Sequence, residues 1–171
     1  MKWTIIENSN VSNEEILHIA ELKNQHWPYG IDSQIQWMKE NIHDDDVHLL
    51  GEIEFEKKRL LIAYITLSNV LVSMDGMDFI AIGVGGVCVS KKYQYNGIGT
   101  RLVIEANKYI SDRKLPGILL CKDNLVKFYN RCNWQVLNYQ EAMVDNNIFR
   151  HNIMFLDCMK SCVAIAIDRN F

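Results

Sequence analysis

"VCVSKKYQYNGIGTRLV", residues 87–103, starts as an alternating apolar strand, crosses a polar turn holding two glycines one residue apart, and continues as a helix. Glycine in the opening turn of a helix costs stability relative to alanine, so its presence points to a backbone that another group approaches closely. Through Gln94-Tyr95-Asn96-Gly97-Ile98-Gly99 the chain passes from strand to helix, where successive N–H groups lack intrahelical acceptors beside the positive end of the helix dipole. Such a turn favours an anion, most naturally a phosphate. With no Cβ at Gly97 or Gly99, a bulky pyrophosphate can reach those amides. Two familiar nucleotide turns fail on residue identity: Thr100 lacks the preceding Lys of a P-loop, and Leu102 stands where a dinucleotide turn has its third glycine.

Upstream of this stretch, "FIAIGVGGVCV" (79–89) reads as a strand interrupted by Gly83, Gly85 and Gly86, the pattern of a bulge or of a close backbone approach. Before it, "KWTIIE" predicts a first strand. "SNEEILHIAELKNQHW" predicts a helix capped by Ser12 or Asn13, with Ile16, Leu17, Ile19, Ala20 and Trp27 on its apolar face and Pro28 and Gly30 beyond its end. "SQIQWMKENI" predicts a second helix from Ile35, Met38 and Ile42. Residues 44–72 predict two strands joined around Glu56–Lys58, followed by a loop at "MDGMD". Downstream, a helix is expected from Gly97 to Asp112, then a strand at "LPGILLC", a helix at "NLVKFYNRC", strands at "NWQVLNY" and "FRHNIMFLD", and a last strand in "CVAIAIDRNF". Hairpins in the middle followed by strand-helix-strand units imply an α/β (α+β layered) fold, a mixed sheet with helices on both faces.

A chain of 171 residues with 49% hydrophobic and 23% charged content is long enough to bury a core and suits one domain, 1–171. A formal charge of −3 with scattered basic residues argues against nucleic acid, whose binding rests on phosphate neutralisation. The first residues hold too short an apolar run for a signal peptide or a membrane span, which reads as a cytoplasmic protein with no membrane partner. Cys88, Cys121, Cys132, Cys158 and Cys162 contain no CxxC pair and read as buried or partly buried thiols, with no metal expected.

The stretch "VCVSKKYQYNGIGTRL" resembles the acyl-CoA signature of the GNAT superfamily of N-acyltransferases: a hydrophobic strand, then Gln or Arg, two variable residues, Gly, one variable residue, and Gly or Ala. About thirty residues on, "NLVKFYNRCNWQV" is similar to the superfamily's tyrosine-bearing helix and following strand, with Asn133-Trp134 departing from the usual Gly-Phe. The element order over residues 3–156 fits the family. The resemblance implies a mostly antiparallel sheet whose splayed strand pair holds acetyl-CoA as co-substrate. On that reading the pantetheine arm lies along Val87-Cys88-Val89, while Gln94 and the amides of Tyr95, Asn96, Gly97, Ile98, Gly99 and Thr100 hold the pyrophosphate. Asn124, at the head of the "NLVKFYNRC" helix, is a further implied contact.

The resemblance makes Tyr129 the catalytic residue, its phenol protonating the departing CoA thiolate; an ordinary pKa near 10 keeps it a donor at neutral pH. An amine must shed a proton before it attacks. Where many relatives carry a strand glutamate this chain has "IGVGGVCV", which leaves the base open among water relayed to Asp78, Glu54 or His48. A looser similarity to aminoglycoside 2'-N-acetyltransferases and other small-amine acetyltransferases implies a small-molecule primary amine as acceptor, an aminoglycoside-like or polyamine-like cation. Asp44, Asp45, Asp46, Glu52, Glu54, Asp75 and Asp78 would suit such a cation, though solubility explains them equally. Trp27, Tyr29 and Trp37 lie where this fold walls its acceptor site, with core packing expected for at least two of them. A protein or peptide N-acetyltransferase and a non-catalytic acyl-CoA sensor are the alternatives. The apolar "CVAIAI" segment either forms an exposed edge that pairs two copies into a homodimer or folds back into the core.

Overall fold

Three two-residue turns with both residues at positive φ set the antiparallel part of the sheet: Glu56–Lys57 (49° and 63°), Asp75–Gly76 (50° and 81°) and Asp145–Asn146 (49° and 58°). Turns of that hand match the right-handed twist of the strands they join. In the computed structural model, which describes residues 1–156 and 161–171, the order is β1 (Lys2–Glu7), α1 (Asn13–Asn24), α2 (Ile31–Asn41), β2 (Val47–Phe55), β3 (Lys58–Met74), β4 (Met77–Val89), α3 (Ile98–Arg113), β5 (Gly117–Cys121), α4 (Asp123–Asn130), β6 (Trp134–Val136), β7 (Glu141–Val144), β8 (Asn147–Ile148), β9 (Asn152–Leu156) and β10 (Ala164–Ile167). The thiol of Cys158 lies outside the described residues; Cys88, Cys121 and Cys132 are buried and Cys162 half-buried, all unpaired.

The sheet runs β6-β9-β5-β4-β3-β10-β7-β8, with β2 on β3 and β1 on β2. Most pairs are antiparallel, while β4–β5 and β10–β7 are parallel. The mixed α/β fold expected from the sequence is therefore the observed one. α3 and α4 pack one face through Leu102, Val103, Ala106 and Tyr129, and α1 and α2 pack the other, where Ile19, Leu22, Met38 and Ile42 meet Leu50, Tyr64 and Cys88. α1 starts on a capping box between Ser12 and Glu15, with Glu15 N donating to Ser12 Oγ at 3.2 Å and Ser12 N to Glu15 Oε2 at 2.8 Å.

Some expectations shift. The "MDGMD" loop is a tight hairpin turn, so β4 begins at Met77. Leu17 faces outward at 40% exposure and Leu22 takes its place in the core. The β7–β8 hairpin was not foreseen. Ala164–Ile167 neither forms an outer edge nor waits for a second copy: β10 is inserted between β3 and β7, which removes the edge that suggested a dimer.

Candidate active site

Both glycine clusters of the sequence meet at one end of β4. Thr66 pairs with Gly85 and Tyr64 with Cys88, so β4 carries one residue more than β3, and Gly86 within this bulge has φ +60°. A Cβ on Gly86 would stand 3.2 Å from both Thr66 Oγ1 and Tyr64 Cε1. β4 meets β5 only over Ile82–Val84. Beyond that point the edge from Gly85 to Val89 has no strand partner among the described residues. Val87 and Val89 pack on the α3 side and Cys88 on the α1–α2 side. The Val89 carbonyl accepts His26 Nε2 at 2.8 Å and the Gln94 side-chain amide at 3.3 Å.

The turn that follows is shaped by Tyr95 (φ 64°) and Gly97 (φ 73°), and tied by Asn96 Nδ2 donating to the Gln94 carbonyl at 3.1 Å. The first bond inside α3 runs from Arg101 N to the Gly97 carbonyl at 3.1 Å, so the amides of Ile98, Gly99 and Thr100 precede the ladder and have no acceptor within the helix. Space beside Gly97 is open to 4 Å around the position of a Cβ. On Gly99 the same position lies 3.5 Å from the Phe128 ring and 3.8 Å from Val89 Cγ2. The end of β4, the head of α3 and the helix α4 converge there.

Tyr129 lies next to that contact, 5% exposed, with its ring edge-on to Phe128 at 4.9 Å. Burial, and secondarily the nearby Cys121 and Cys132, push its phenol well above the usual tyrosine range. It is a protonated donor at any physiological pH. Asn124 is exposed in the first turn of α4, and no hydrogen bond joins it to the glycine turn among the described residues. Asn133, where the resemblance led one to expect glycine, has φ +69°; asparagine is among the side chains that tolerate this backbone best. The buried Trp134 behind it donates Nε1 to Asn107 Oδ1 at 2.9 Å.

Of the groups considered for deprotonation, Glu54 pairs with Arg59 near the far hairpin and Asp78 with Ser73 near the opposite one, both away from the bulge. His48 is the one beside it. Asn8 donates Nδ2 to the Ile42 carbonyl and turns Oδ1 toward His48 Nε2 at 2.9 Å, so Nε2 carries the proton. Nδ1 then accepts from the Tyr64 hydroxyl at 2.8 Å, which in turn accepts from Thr66 Oγ1 at 2.7 Å. This chain of fully buried groups runs from β2 to the floor of the bulge. Burial drives the His48 pKa down to about 4, against an opposing pull from Asp46, so the imidazole is neutral at pH 7.

Over the bulge lies a cavity of about 390 Å³ lined by Lys23, Trp27, Tyr29, Ser33, Gln34, Trp37 and Gly86. Tyr29 is 74% exposed and Trp37 38%, so at least two of these aromatics wall a cavity instead of filling the core. None of the seven acidic residues weighed for a cationic acceptor lines it; Asp46 is buried against Arg169 at 2.6 Å, and Asp75 Oδ1 accepts the amides of Val163 and Ala164. Sequence reasoning missed Lys23, His26, Tyr64 and Thr66. For Lys23 the signal existed: it falls four residues after Ile19 and four before Trp27, on the apolar stripe. It also missed the segment 168–171, where Arg169 binds Asp46, the Asn41 carbonyl and His43 Nδ1 and so brings the Phe171 ring over Gly83 and its main chain against Gly85. Among the described residues there is no cluster with metal-ligating composition, and no helix is long and apolar enough to cross a membrane.

Residues 14–134 match the model of the acetyltransferase (GNAT) family. Solved structures of similar fold include an acyl-CoA N-acyltransferase from Pseudomonas aeruginosa and ElaA from Escherichia coli, each with a TM-score of 0.65 and 16% identity over 91% of this chain and 99% of the other. An aminoglycoside 6'-N-acetyltransferase complexed with coenzyme A superposes with a TM-score of 0.63 at 16% identity, over 91% of this chain and 95% of its own.

Proposed function

The chain belongs to the GNAT acetyltransferase family, and from that premise we propose that residues 1–171 form one N-acetyltransferase domain that moves an acetyl group from acetyl-CoA to a primary amine of a small molecule. The observation that carries the reading is the convergence at Gly99, where the partnerless edge of β4, the acceptor-free amides of Ile98, Gly99 and Thr100, and the helix bearing Tyr129 come together. These features fit the co-substrate: an open strand edge suits the amides of pantetheine, and a helix N-terminus with a left-handed glycine suits a diphosphate. Bound acetyl-CoA supplies the acetyl group as a thioester.

The roles of the chain's own groups follow from their places. The amides from Tyr95 to Thr100 hold the diphosphate, and Val87, Cys88 and Val89 line the arm. The buried phenol of Tyr129 gives its proton to the departing thiolate sulfur; held above its usual pKa, it arrives protonated. The acceptor enters over Gly86 from the cavity walled by Trp27, Tyr29 and Trp37. No carboxylate stands on β4 near the bulge, and the neutral His48, already accepting from Tyr64, orients the Thr66 hydroxyl beneath Gly86.

That same missing carboxylate favours the second reading, a sensor that binds acyl-CoA without transfer. Following CoA thiol release from acetyl-CoA with and without amines separates the two. Amine-dependent release supports the transferase; saturable acetyl-CoA binding with no amine-dependent release refutes it.

A further inference from the structure

The cavity over the bulge holds one charge that has no ion-pair partner among the described residues. Lys23 is 5% exposed, yet among the described residues no carboxylate lies within 4 Å of its ammonium. Its neighbour is the Trp37 ring, 4.3 Å from Nζ to the centroid. Burial lowers its pKa to about 8 against an opposing pull from Cys88, so below that pH the group is a partly desolvated cation on a cavity wall. The rest of the wall is Trp27, Tyr29 and Trp37 with the neutral Ser33 and Gln34, and Gln34 is already engaged, donating Nε2 to the Trp27 carbonyl at 2.7 Å. A buried charge is retained when it has a partner, and the cavity beside this ammonium leaves room for a ligand to supply one.

We infer that the acceptor is an amino acid in the broad sense: a primary amine on an aromatic or otherwise apolar frame that also carries one carboxylate, which Lys23 pairs inside the cavity. The inference rests on the transferase reading for the amine and on Lys23 for the acid. One ammonium matches a single negative charge, where a phosphate dianion would call for more donors. The aromatic rings take the apolar frame, and the amine is left facing Gly86, beside the open edge of β4. A polycation meets the wrong sign here: Lys23 repels it, and none of the seven side-chain carboxylates weighed for it lines the cavity.

The test uses the full chain with acetyl-CoA and three matched pairs of amines that differ by the carboxylate: phenylalanine and phenethylamine, tryptophan and tryptamine, 5-aminovalerate and butylamine, with spermidine as a polycation. In at least one pair the acid should have the higher kcat/KM, by about 10- to 100-fold, the range of a charge-assisted hydrogen bond. Spermidine should fall below that acid. In Lys23→Met the preference should shrink to within about 3-fold, and Lys23→Arg should keep most of it. Equal rates within all three pairs, a spermidine rate matching the best acid, or an undiminished preference in Lys23→Met overturns the inference. A binding arm works without turnover: tryptophan fluorescence titrated with N-acetylphenylalanine, N-acetyltryptophan and 5-acetamidovalerate, each against its decarboxylated amide. Acid-selective binding lost in Lys23→Met upholds the anion site even where CoA release has refuted the transferase. Indifferent binding sinks the site even where amines are acetylated.

Discussion

Replacing Lys23 by methionine should make the protein more stable, and the gain should depend on pH in one direction. The group's pKa falls from 10.5 in the open chain to about 8 in the fold, because burial disfavours the ammonium. Below pH 8 both states carry the proton and the folded state bears the full cost, about 3 kcal/mol at ~1.4 kcal/mol for each tenfold change in affinity. Between pH 8 and 10.5 the folded chain loses the proton first, so stability rises with pH, and above 10.5 the cost is gone. Methionine keeps the unbranched stem in place but gives up the cation–π contact with Trp37, worth about 1 kcal/mol, at every pH below 8. Urea denaturation of the two proteins at pH 7 and pH 10 should therefore show Lys23→Met ahead by about 2 kcal/mol at pH 7 and by less than about 1 kcal/mol at pH 10. A difference that does not change with pH, or a variant less stable at pH 7, would refute the view of Lys23 as a buried and unmatched cation. A destabilising charge kept in a cavity is the signature of a group held for function.

Tyr129→Phe removes the proton donor while filling the same space, so acetyl-CoA affinity by calorimetry should hold and turnover should drop about 100-fold; unchanged turnover dismisses Tyr129 as the acid. His48 is neutral in the fold down to about pH 4 but takes up a proton near pH 6.5 when unfolded, so stability should fall by up to about 3 kcal/mol as pH drops through that window. His48→Gln should lack this component, which parallel denaturation curves at pH 7 and 4.5 would reveal. Arg169→Ala leaves the fully buried Asp46 with the His43 amide at 2.9 Å as its remaining partner. It should cost about 3 kcal/mol, or about 6–12 °C in Tm; a shift under 2 °C contradicts the clamp.

The turn that governs the cofactor reading was legible because its signals are local: the strand period, two glycines and the start of a helical period occur within one short stretch. The same holds for the Ser12–Glu15 capping box and for the bulge, which three glycines in one strand announced. What escaped depends on distance. β10 enters the sheet beside β3 through contacts about ninety residues apart in the chain, so its apolar run reads equally as an edge or as core. Trp27 and Tyr29 lie in the link between α1 and α2 and Trp37 on α2, and only their meeting around one cavity turns them from core into wall. The stripe of α1 drifted by position, taking in Leu17 where the fold buries Leu22, because neighbouring faces of a short helix differ little in composition. Lys23 was legible in principle, as a lone charge on the buried stripe.

The central claim is that main-chain donors at the head of α3 clasp the diphosphate of coenzyme A. Backbone amide resonances of the uniformly 15N-labelled protein, followed while coenzyme A and then pantetheine are added, address it directly. Coenzyme A should move Ile98, Gly99 and Thr100 most, and pantetheine, which lacks the diphosphate, should move Val87 to Val89 and leave those three nearly still. Saturation by coenzyme A with the three helix-head amides unmoved would contradict the account.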